Sequence, residues 1–581
     1  MSPVGEVVAR IDRADRNEVW IHRVPAADLG LAAQEIDRRV AAGEELALAG
    51  LTFAVKDNID VAGVPTTAGC PAFAYRPETS APVVQALVDA GALLVGKTNL
   101  DQFATGLVGT RSPYGAVRNA VSPEHISGGS SSGSAVAVAL GLVDFALGTD
   151  TAGSGRIPAA LNGIVGVKPT RGLVSTTGVV PASRSCDCVS VLSATVSRGE
   201  RVLAVMAGHD PADPRSRGFP PTAPVGLPDH PVVAYADPAT LEDLDPARRR
   251  RYEEAVKRLE TAGCTPVAVS IEAFLEAGQL LYRGGFVAER YAAVGAWVDQ
   301  HPEEVDPVVG PIISAAGSLP AFQLAADIER VCGLKQTAEA VMAAVGAQSL
   351  LLPTAPFHPT LAEVAVDPVG VNSRLGRYTT FVNLLDMCAV SVPAGRVDGL
   401  PFGVSFIGPA WSDLIQADLA RKLEGNDADG QPGGAGEVPP ATAILGRRRL
   451  ASPTIRLAVV GAHLTGQPLN HQLTDRGARR VGSTTTAPDY HLYALATDPR
   501  KPGLVRVAAG GAGVPIDVEV WELPPVGFAD FVAAIPPPMV IGSVRLEDGS
   551  SAAGFLCEPI ALEGAEDITA YGGWRAYLAD R

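Results

Sequence analysis

The sequence is poor in histidine and cysteine, and it contains no long apolar run. Its 581 residues include nine histidines and seven cysteines. The one close cysteine pair, Cys186-Asp187-Cys188, has no His or Cys cluster beside it, which favours core packing over a metal site. No apolar run reaches the roughly 18 residues that span a bilayer, and the first residues lack the basic-then-apolar pattern of a secretory signal. We therefore expect a cytoplasmic protein with reduced thiols, no membrane partner, no metal and no other cofactor.

The chain also lacks an excess of basic residues. It has 47 Lys and Arg against 63 Asp and Glu, a formal net charge of −16, which disfavours nucleic acid as a partner. With 47% hydrophobic and 19% charged residues, the composition is that of a globular protein. A chain of this length exceeds one ordinary hydrophobic core, so two or more domains are expected.

The stretch from Ile126 to Thr170 is the most informative part of the sequence. It contains a glycine/serine loop, GGSSSGS, an apolar segment, and a second small-residue turn, DTAGSGR. A flexible linker does not fit, because apolar runs flank the loop. A phosphate-binding loop does not fit either, because Ser134 stands where that motif requires lysine. The loop does satisfy G-x-S-x-G, a weak pattern that would make Ser131 the nucleophile of a Ser-His-Asp hydrolase.

Short apolar runs alternate with helical patterns through the first 420 residues, which predicts an α/β fold on one mixed sheet. The run at Leu51–Val55 reads as a strand that places Lys56 at its end. We also predict a helix over Ala26–Ala42 and a helix beginning at Asn99–Phe103. The last elements of the sheet are expected at Phe381–Leu385, Ala389–Pro393 and Pro401–Gly408.

Three motifs, in this order, resemble the amidase signature family: Ala-Val-Lys-Asp at Lys56, the glycine/serine loop, and Gly-Thr-Asp-Thr-Ala-Gly-Ser-Gly-Arg-Ile-Pro followed by Gly-Val-Lys-Pro-Thr. The resemblance covers roughly residues 10 to 422. It implies a mixed β-sheet core surrounded by helices, and hydrolysis of a carboxamide through an acyl-enzyme.

The resemblance also implies a Ser-Ser-Lys triad without histidine. Ser154 is the expected nucleophile, and Ser130, preceded by a cis Gly129–Ser130 peptide bond, is expected to relay its proton to Lys56. The lysine must then be buried, because burial lowers the pKa of an amine. The expected oxyanion hole is made by backbone N–H groups, namely those of Thr151, Ala152, Gly153 and Ser154. Ser131 and His125 are expected to be dispensable.

The segment Leu280–Tyr291 resembles the allophanate hydrolase branch of this family, in which a tyrosine and an arginine eight residues apart bind the substrate. The corresponding residues here are Tyr282 and Arg290. Allophanate is carboxylated urea, and a guanidinium can bind its carboxylate through two hydrogen bonds. The glycines of Gly284-Gly285-Phe286 depart from the family's usual pattern.

The composition changes sharply after the amidase-like region. We predict a catalytic domain at 1–422, a Gly/Pro-rich linker at 423–453 and a small α+β or β-barrel-like domain at 454–581. The last segment resembles the C-terminal domain of allophanate hydrolases, related in fold to γ-glutamylcyclotransferase. His463, near a strand end, is a candidate acid/base or anion-binding residue there; the alternative is a packed histidine in a supporting domain.

The resemblance thus implies an allophanate hydrolase that yields ammonia and carbon dioxide, its second domain processing the N-carboxycarbamate intermediate. The alternatives are a broad-specificity amidase with a structural C-terminal domain, and a component of a glutamine amidotransferase. A homodimer is the default assembly. The sequence leaves open whether allophanate comes from a urea carboxylase or from a ring-opening amidohydrolase pathway.

Overall fold

The computed structural model describes residues 4–237, 240–424, 453–508 and 511–581. The chain divides into two compact units, one formed by Met1–Gly218 with Val232–Leu450, the other by Phe219–Pro231 with Ala451–Arg581. The predicted linker at 423–453 lies almost wholly outside the described residues.

The first unit is built on an eleven-stranded mixed sheet. Its strands are β1 Trp20–Arg23, β2 Thr52–Lys56, β3 Leu93–Thr98, β4 Phe145–Thr149, β5 Val165–Lys168, β6 Val189–Ser193, β7 Val232–Ala236, β8 Thr265–Val269, β9 Ser349–Pro353, β10 Met387–Val397 and β11 Leu400–Pro409. Their spatial order is β1-β3-β2-β4-β6-β5-β10-β11-β9-β7-β8. Strand β2 pairs in parallel with β3 and β4, and β7 with β8 and β9, whereas the remaining pairs are antiparallel.

Helices surround this sheet. They are α1 Val4–Ala14, α2 Ala26–Ala41, α3 Pro82–Asp89, α4 Ser132–Ala139, α5 Arg156–Asn162, α6 Val196–Met206, α7 Pro246–Thr261, α8 Glu272–Arg283, α9 Ala288–Arg290, α10 Ala296–Gln300, α11 Val309–Ala316, α12 Ala321–Ala344, α13 Leu361–Val366, α14 Gly370–Leu375, α15 Phe381–Leu384 and α16 Asp413–Glu424. In the described part of the chain no single helix is long and apolar enough to cross a membrane; the pair α11 and α12, bent by 98°, passes that test together.

The sheet explains where the candidate site forms. Every residue of β2, β4 and β6 is buried, in keeping with their apolar sequences. Because β2 and β4 run in parallel, Lys56 and Thr149 at their carboxyl ends lie at the same edge of the sheet. The glycine/serine loop and the second small-residue turn adjoin that edge, preceding α4 and following β4.

The predicted fold class is confirmed, including helix Ala26–Ala42 and the strand that ends at Lys56. Two local predictions are wrong. The segment Asn99–Phe103 does not begin an α-helix; only a 3₁₀ turn forms at Gln102–Ala104, because Phe103 and Ala104 have positive φ angles of 51° and 52°.

The second error concerns Phe381–Leu385, which we expected to close the sheet. It forms the short helix α15, whereas the other two predicted elements, Ala389–Pro393 and Pro401–Gly408, do form strands: they belong to the antiparallel pair β10 and β11 within the sheet. An apolar run of this length fits a buried helix as well as a buried strand.

The second unit contains two sheets. Its strands are β12 Ile455–Val459, β13 Arg479–Thr485, β14 Tyr490–Ala494, β15 Pro502–Arg506, β16 Asp517–Leu523, β17 Met539–Arg545, β18 Ser551–Cys557 and β19 Glu566–Asp567. They form a five-stranded sheet, β13-β16-β12-β18-β17, and a three-stranded sheet, β15-β14-β19. The described helices are α17 His471–Thr474, α18 Pro525–Ala533 and α19 Trp574–Ala579. The prediction of a second, sheet-bearing domain is confirmed.

Candidate active site

Lys56 lies in the middle of a buried polar cluster. Its side chain is fully buried, and its Nζ lies 2.8 Å from the Ser130 hydroxyl and 2.6 Å from the Thr149 hydroxyl. The lysine therefore joins two strand ends to the glycine/serine loop. Thr149 is a contact that the sequence did not single out.

Burial lowers the pKa of Lys56 to about 7, against the opposing effect of three carboxylates, Asp101, Asp150 and Asp187. The positive charge of Arg290 lowers this pKa further. A large fraction of Lys56 is consequently a neutral amine near pH 7, the form that accepts a proton.

The glycine/serine loop presents Ser130 to this lysine. The Gly129–Ser130 peptide bond is cis, as the resemblance implies. A Cβ atom at Gly129 would lie 2.1 Å from Asp101 Oδ2 and 2.6 Å from the Gly109 amide nitrogen, so only glycine fits there. The next residue, Ser131, donates its N–H to the Ser154 carbonyl at 3.2 Å. This contact brings the loop against the turn that carries Ser154.

A buried ion pair organises that turn. The Asp150 carboxylate accepts hydrogen bonds from the N–H groups of Gly153, Gly155 and Arg156 at 2.8, 3.2 and 3.2 Å. The Arg156 guanidinium donates to both of its oxygens at 2.8 and 2.9 Å, with both side chains fully buried. Burial alone would raise the pKa of Asp150, but the Arg156 charge and the N–H donors bring it below its ordinary value. The turn is thus closed around one carboxylate.

The same hydrogen bonds change the expected set of oxyanion donors. The N–H of Gly153 donates to Asp150 and is not available to a substrate. The N–H groups of Thr151, Ala152 and Ser154 donate to no residue that the structure describes. Three free donors therefore remain in a turn where Ser154 itself is 2% exposed. Gly153 has a φ of +120°, and a Cβ atom there would lie 2.3 Å from Thr379 Oγ1.

Tyr282 and Arg290 come together beside this site, although they lie on different helices. Helix α8 ends at Arg283, the chain is extended at Gly284, and Arg290 closes the three-residue α9 before a π-helical turn at 291–295. The Arg290 guanidinium donates to the Tyr282 hydroxyl at 3.1 Å and lies 5.1 Å from the centre of its ring. It also donates to the Thr105 hydroxyl at 2.9 Å.

The Arg290 guanidinium has no anionic partner in the described part of the chain. Arg290 is 2% exposed, its hydrogen bonds go to two neutral hydroxyls, and no described carboxylate lies within 4.0 Å of it. A buried cation without a counter-ion is costly unless an anion binds. Such an arrangement can accept the carboxylate of a ligand.

Neither Ser131 nor His125 has the contacts of a nucleophile or a base. The Ser131 hydroxyl donates to the Thr149 carbonyl at 3.1 Å and accepts from the Thr149 N–H at 3.2 Å. The His125 ring lies 2.9 Å from the Ser122 hydroxyl and packs edge-on against His358. The Ser-His-Asp alternative thus has no support in the geometry.

His463 lies in the second unit and is described separately. Its ring is stacked on Phe555 and edge-on to Phe531, at 5.1 and 5.0 Å. Its Nε2 lies 3.1 Å from Gln472 Oε1. Burial lowers the pKa of this half-buried histidine, so the ring is neutral near pH 7. Within the described residues, no hydrogen bond engages its Nδ1.

Comparison with known proteins matches both parts of the chain. Residues 4–414 match the family model described as Amidase, and residues 455–579 match the model described as Allophanate hydrolase C-terminal domain. The chain is 43% identical over 559 residues to the urea amidolyase of Saccharomyces cerevisiae, covering 92% of this chain and 30% of that protein. It therefore spans about a third of the length of the urea amidolyases that it matches.

Two further relatives are matched over most of their own length. A solved structure of Kluyveromyces lactis allophanate hydrolase superimposes with a TM-score of 0.87 at 38% identity, covering 100% of this chain and 97% of that one. A glutamyl-tRNA(Gln) amidotransferase component from Natronomonas pharaonis is 36% identical over 409 residues, covering 64% of this chain and 95% of that protein. The chain belongs to the amidase signature family, and within it to the allophanate hydrolases by virtue of its C-terminal domain.

Proposed function

We propose that this chain hydrolyses the terminal amide of allophanate by a Ser154-Ser130-Lys56 mechanism. The observation that carries the proposal is the buried Arg290 guanidinium, which has no described carboxylate partner and whose charge acts on Lys56. Allophanate has one carboxylate and one amide, separated by a single nitrogen. The relatives named for urea amidolyase and allophanate hydrolase support the same substrate.

The reaction begins with proton transfer to Lys56. The neutral amine accepts the proton of Ser130, and Ser130 accepts the proton of Ser154, whose oxygen attacks the terminal carbonyl carbon. Negative charge develops on the carbonyl oxygen and is stabilised by the N–H groups of Thr151, Ala152 and Ser154. Each such donor contributes about 3 kcal/mol to transition-state stabilisation.

The tetrahedral intermediate collapses when the proton returns from Lys56 through Ser130 to the amide nitrogen, and ammonia leaves. Water then attacks the acyl group on Ser154 and passes its proton through Ser130 to Lys56. The same proton returns to the Ser154 oxygen as its bond to the acyl carbon breaks, which restores the free enzyme. The product is N-carboxycarbamate, which takes up protons and breaks down to a second ammonia and two molecules of carbon dioxide. Throughout, Arg290 and Tyr282 donate hydrogen bonds to the substrate carboxylate.

A panel of substrates tests the proposal. We expect ammonia release from allophanate to exceed that from urea, biuret, glutamine and simple amides by at least about 100-fold in kcat/KM, since each of the others lacks the appropriately placed carboxylate. Comparable release from simple amides would favour a broad-specificity amidase, and dominant release from glutamine would favour the amidotransferase alternative.

We further propose that the second unit processes N-carboxycarbamate, with His463 as the proton acceptor. The contact of Nε2 with Gln472 Oε1 places the ring hydrogen there and leaves Nδ1 as the basic atom. We expect His463→Ala to slow release of the second ammonia and leave the first unchanged, as measured by the ratio of ammonia to consumed allophanate at early times. Unchanged stoichiometry and rate would instead indicate a supporting domain.

We also propose a cytoplasmic homodimer whose allophanate is supplied by carboxylation of urea or by a ring-opening amidohydrolase. The relation to urea amidolyases favours the first source. Light scattering on the purified chain checks the assembly, and allophanate formation from urea in the presence of the carboxylating activity checks the source.

A further inference from the structure

The segment 182–188, here called the bridging segment, contacts both the turn that carries Ser154 and the segment that carries Arg290. It contains the Cys186-Asp187-Cys188 stretch that the sequence suggested was only core packing. Two carboxylates fix its position: Glu289, which binds the segment from outside, and the segment's own Asp187, which binds the turn that carries Ser154. Neither belongs to the proposed catalytic set. Glu289 lies about a hundred positions away from this segment in the sequence.

On one side, Glu289 binds the bridging segment. Its Oε2 accepts three hydrogen bonds, from the Ser183 hydroxyl at 2.6 Å and from the N–H and hydroxyl of Ser185, each at 3.0 Å. Glu289 immediately precedes Arg290 in the sequence. Hydrogen bonds to a charged acceptor are the stronger class, so these contacts restrain the backbone that carries the Arg290 guanidinium.

On the other side, Asp187 binds the turn of the nucleophile. Its carboxylate accepts the Thr151 hydroxyl at 2.6 Å and the N–H groups of Ala182 and Ser183 at 3.0 and 3.1 Å. Thr151 provides one of the three free N–H groups of the proposed oxyanion hole. The bridging segment is thereby attached to the residue that contacts the reacting carbonyl oxygen.

A third contact restrains the same segment. The Asn383 side-chain amide donates to the Cys186 carbonyl and to the Asp150 carbonyl, each at 2.6 Å. Asn383 is fully buried. The bridging segment and the turn around Asp150 are therefore held together at two points, through Asp187 and through Asn383.

The backbone around Arg290 needs such restraint because it is irregular. Helix α8 ends at the extended residue Gly284, and α9 continues through a π-helical turn into α10, so no single regular helix fixes where Arg290 lies relative to Tyr282. A displacement of about 1 Å between a substrate and its catalytic groups costs up to about 100-fold in rate. Contacts from other parts of the chain must therefore set the distance between Arg290 and Ser154.

We propose that Glu289 and Asp187 are positioning residues which, through the bridging segment, set the separation between the substrate carboxylate on Arg290 and the reacting carbonyl at Ser154. The inference rests on the proposed hydrolysis of a carboxylate-bearing amide. The bridging segment would then determine how far apart the amide and the carboxylate of a substrate must be. Glu289 acts on binding, and Asp187 acts on the oxyanion turn.

Binding of malonamate tests the role of Glu289 without requiring turnover. Malonamate is allophanate with a methylene group in place of the central N–H, and its affinity is measured by calorimetry in the Ser154→Ala background. We expect Glu289→Ala to raise its Kd at least about tenfold. Glu289→Gln is expected to raise it less, because one amide oxygen still accepts. The matched control is Glu276→Ala, a substitution on α8 that removes an exposed ion pair with Arg330 of α12. We expect it to leave the Kd unchanged.

Turnover by the full-length enzyme tests the role of Asp187. We expect Asp187→Asn to lower kcat about tenfold at a pH above the pKa of Lys56, where loss of the Asp187 charge no longer changes the fraction of neutral lysine, because the oxyanion turn is displaced. The Kd of malonamate is expected not to rise, because removal of a carboxylate whose charge interacts with Arg290 does not weaken binding of an anion there. Should Glu289→Ala fail to fold, the double variant Ser183→Ala, Ser185→Ala removes the hydroxyl donors from the opposite side and is expected to raise Kd likewise.

Equal Kd values for malonamate in the Glu289→Ala and Glu276→Ala proteins would overturn the inference. So would a folded Ser154→Ala protein that does not bind malonamate. A wild-type enzyme that binds malonamate but leaves allophanate intact would contradict the proposed function, while the comparison between Glu289 and Glu276 variants would still decide the role of the bridging segment.

Discussion

The turn that carries Ser154 and the segment that carries Arg290 are stabilised in different ways. The turn is closed by a local ion pair, Asp150 with Arg156, only six residues apart. The Arg290 segment is an interrupted helix whose contacts come from Thr105, from Tyr282 and from the bridging segment. The turn that carries Ser154 is therefore held by a contact between residues close together in the sequence, whereas the position of Arg290 depends on contacts from residues more than a hundred positions away.

The first prediction concerns the proposed nucleophile and base. We expect Ser154→Ala and Lys56→Ala each to lower kcat by about 10⁴-fold or more, because nucleophile and base act as a unit. The measurement is steady-state ammonia release from allophanate. Ser131→Ala and His125→Ala are controls that retain activity within a few-fold. A His125 variant as inactive as the Ser154 variant would refute the assignment.

The second prediction concerns the ion pair that closes the turn. Asp150→Asn leaves the buried Arg156 guanidinium without its counter-ion, which typically costs about 3–5 kcal/mol in stability. We expect a marked fall in the unfolding midpoint of the first unit, followed by circular dichroism. Glu35→Gln, which removes an exposed ion pair with Arg38, should leave that midpoint unchanged. Equal midpoints for both variants would show that the turn does not depend on the pair.

The placement of Lys56, Ser130 and Ser154 could be predicted from three short motifs. The structure brings Lys56 to 2.8 Å from the Ser130 hydroxyl and the glycine/serine loop against the turn of Ser154, and the catalytic roles of the three residues stay a prediction. The commitment of the Gly153 N–H to Asp150 was missed, because it depends on how the turn folds back. The sequence signal that could have indicated this contact is an aspartate six residues before an arginine in a glycine-rich turn.

The geometry of the segment that carries Arg290 was harder to predict, for a physical reason. Tyr282 and Arg290 were identified by their spacing in a family pattern, but the helix between them is interrupted at Gly284 and Gly285. A Cβ atom at Gly285 would lie 2.5 Å from the Leu324 Cα atom, so packing against α12 decides this geometry. The role of Glu289 depends on Ser183 and Ser185, over a hundred residues away, and no local pattern reports such contacts.

The third prediction is the pH dependence of the reaction. Because Lys56 must be neutral to accept a proton and its pKa is about 7, kcat/KM should rise about tenfold per pH unit below that value and level off above it. The profile of allophanate hydrolysis between about pH 5 and about pH 9, which brackets a group that titrates near neutrality, checks this. A flat profile through neutrality would mean that Lys56 is not the base.

The fourth prediction concerns Tyr282, the tyrosine beside Arg290, and its expected effect on activity is the smallest. Tyr282→Phe removes one hydroxyl that contacts the Arg290 guanidinium and leaves the ring in place. We expect KM for allophanate to rise about three- to tenfold with little change in kcat, the loss that corresponds to a net hydrogen-bond contribution of about 1 kcal/mol. A fall in kcat at unchanged KM would instead place Tyr282 in the chemical step.

The most direct test of the account is the ratio of kcat/KM for allophanate to that for biuret, measured in the wild-type enzyme and in Arg290→Lys. Biuret replaces the carboxylate by a neutral carboxamide, so the ratio reports recognition of charge by the buried guanidinium. We expect a ratio above about 100 in the wild type and a fall of at least about tenfold in the variant, because lysine cannot donate the paired hydrogen bonds of arginine. The same ratio in both proteins would contradict it.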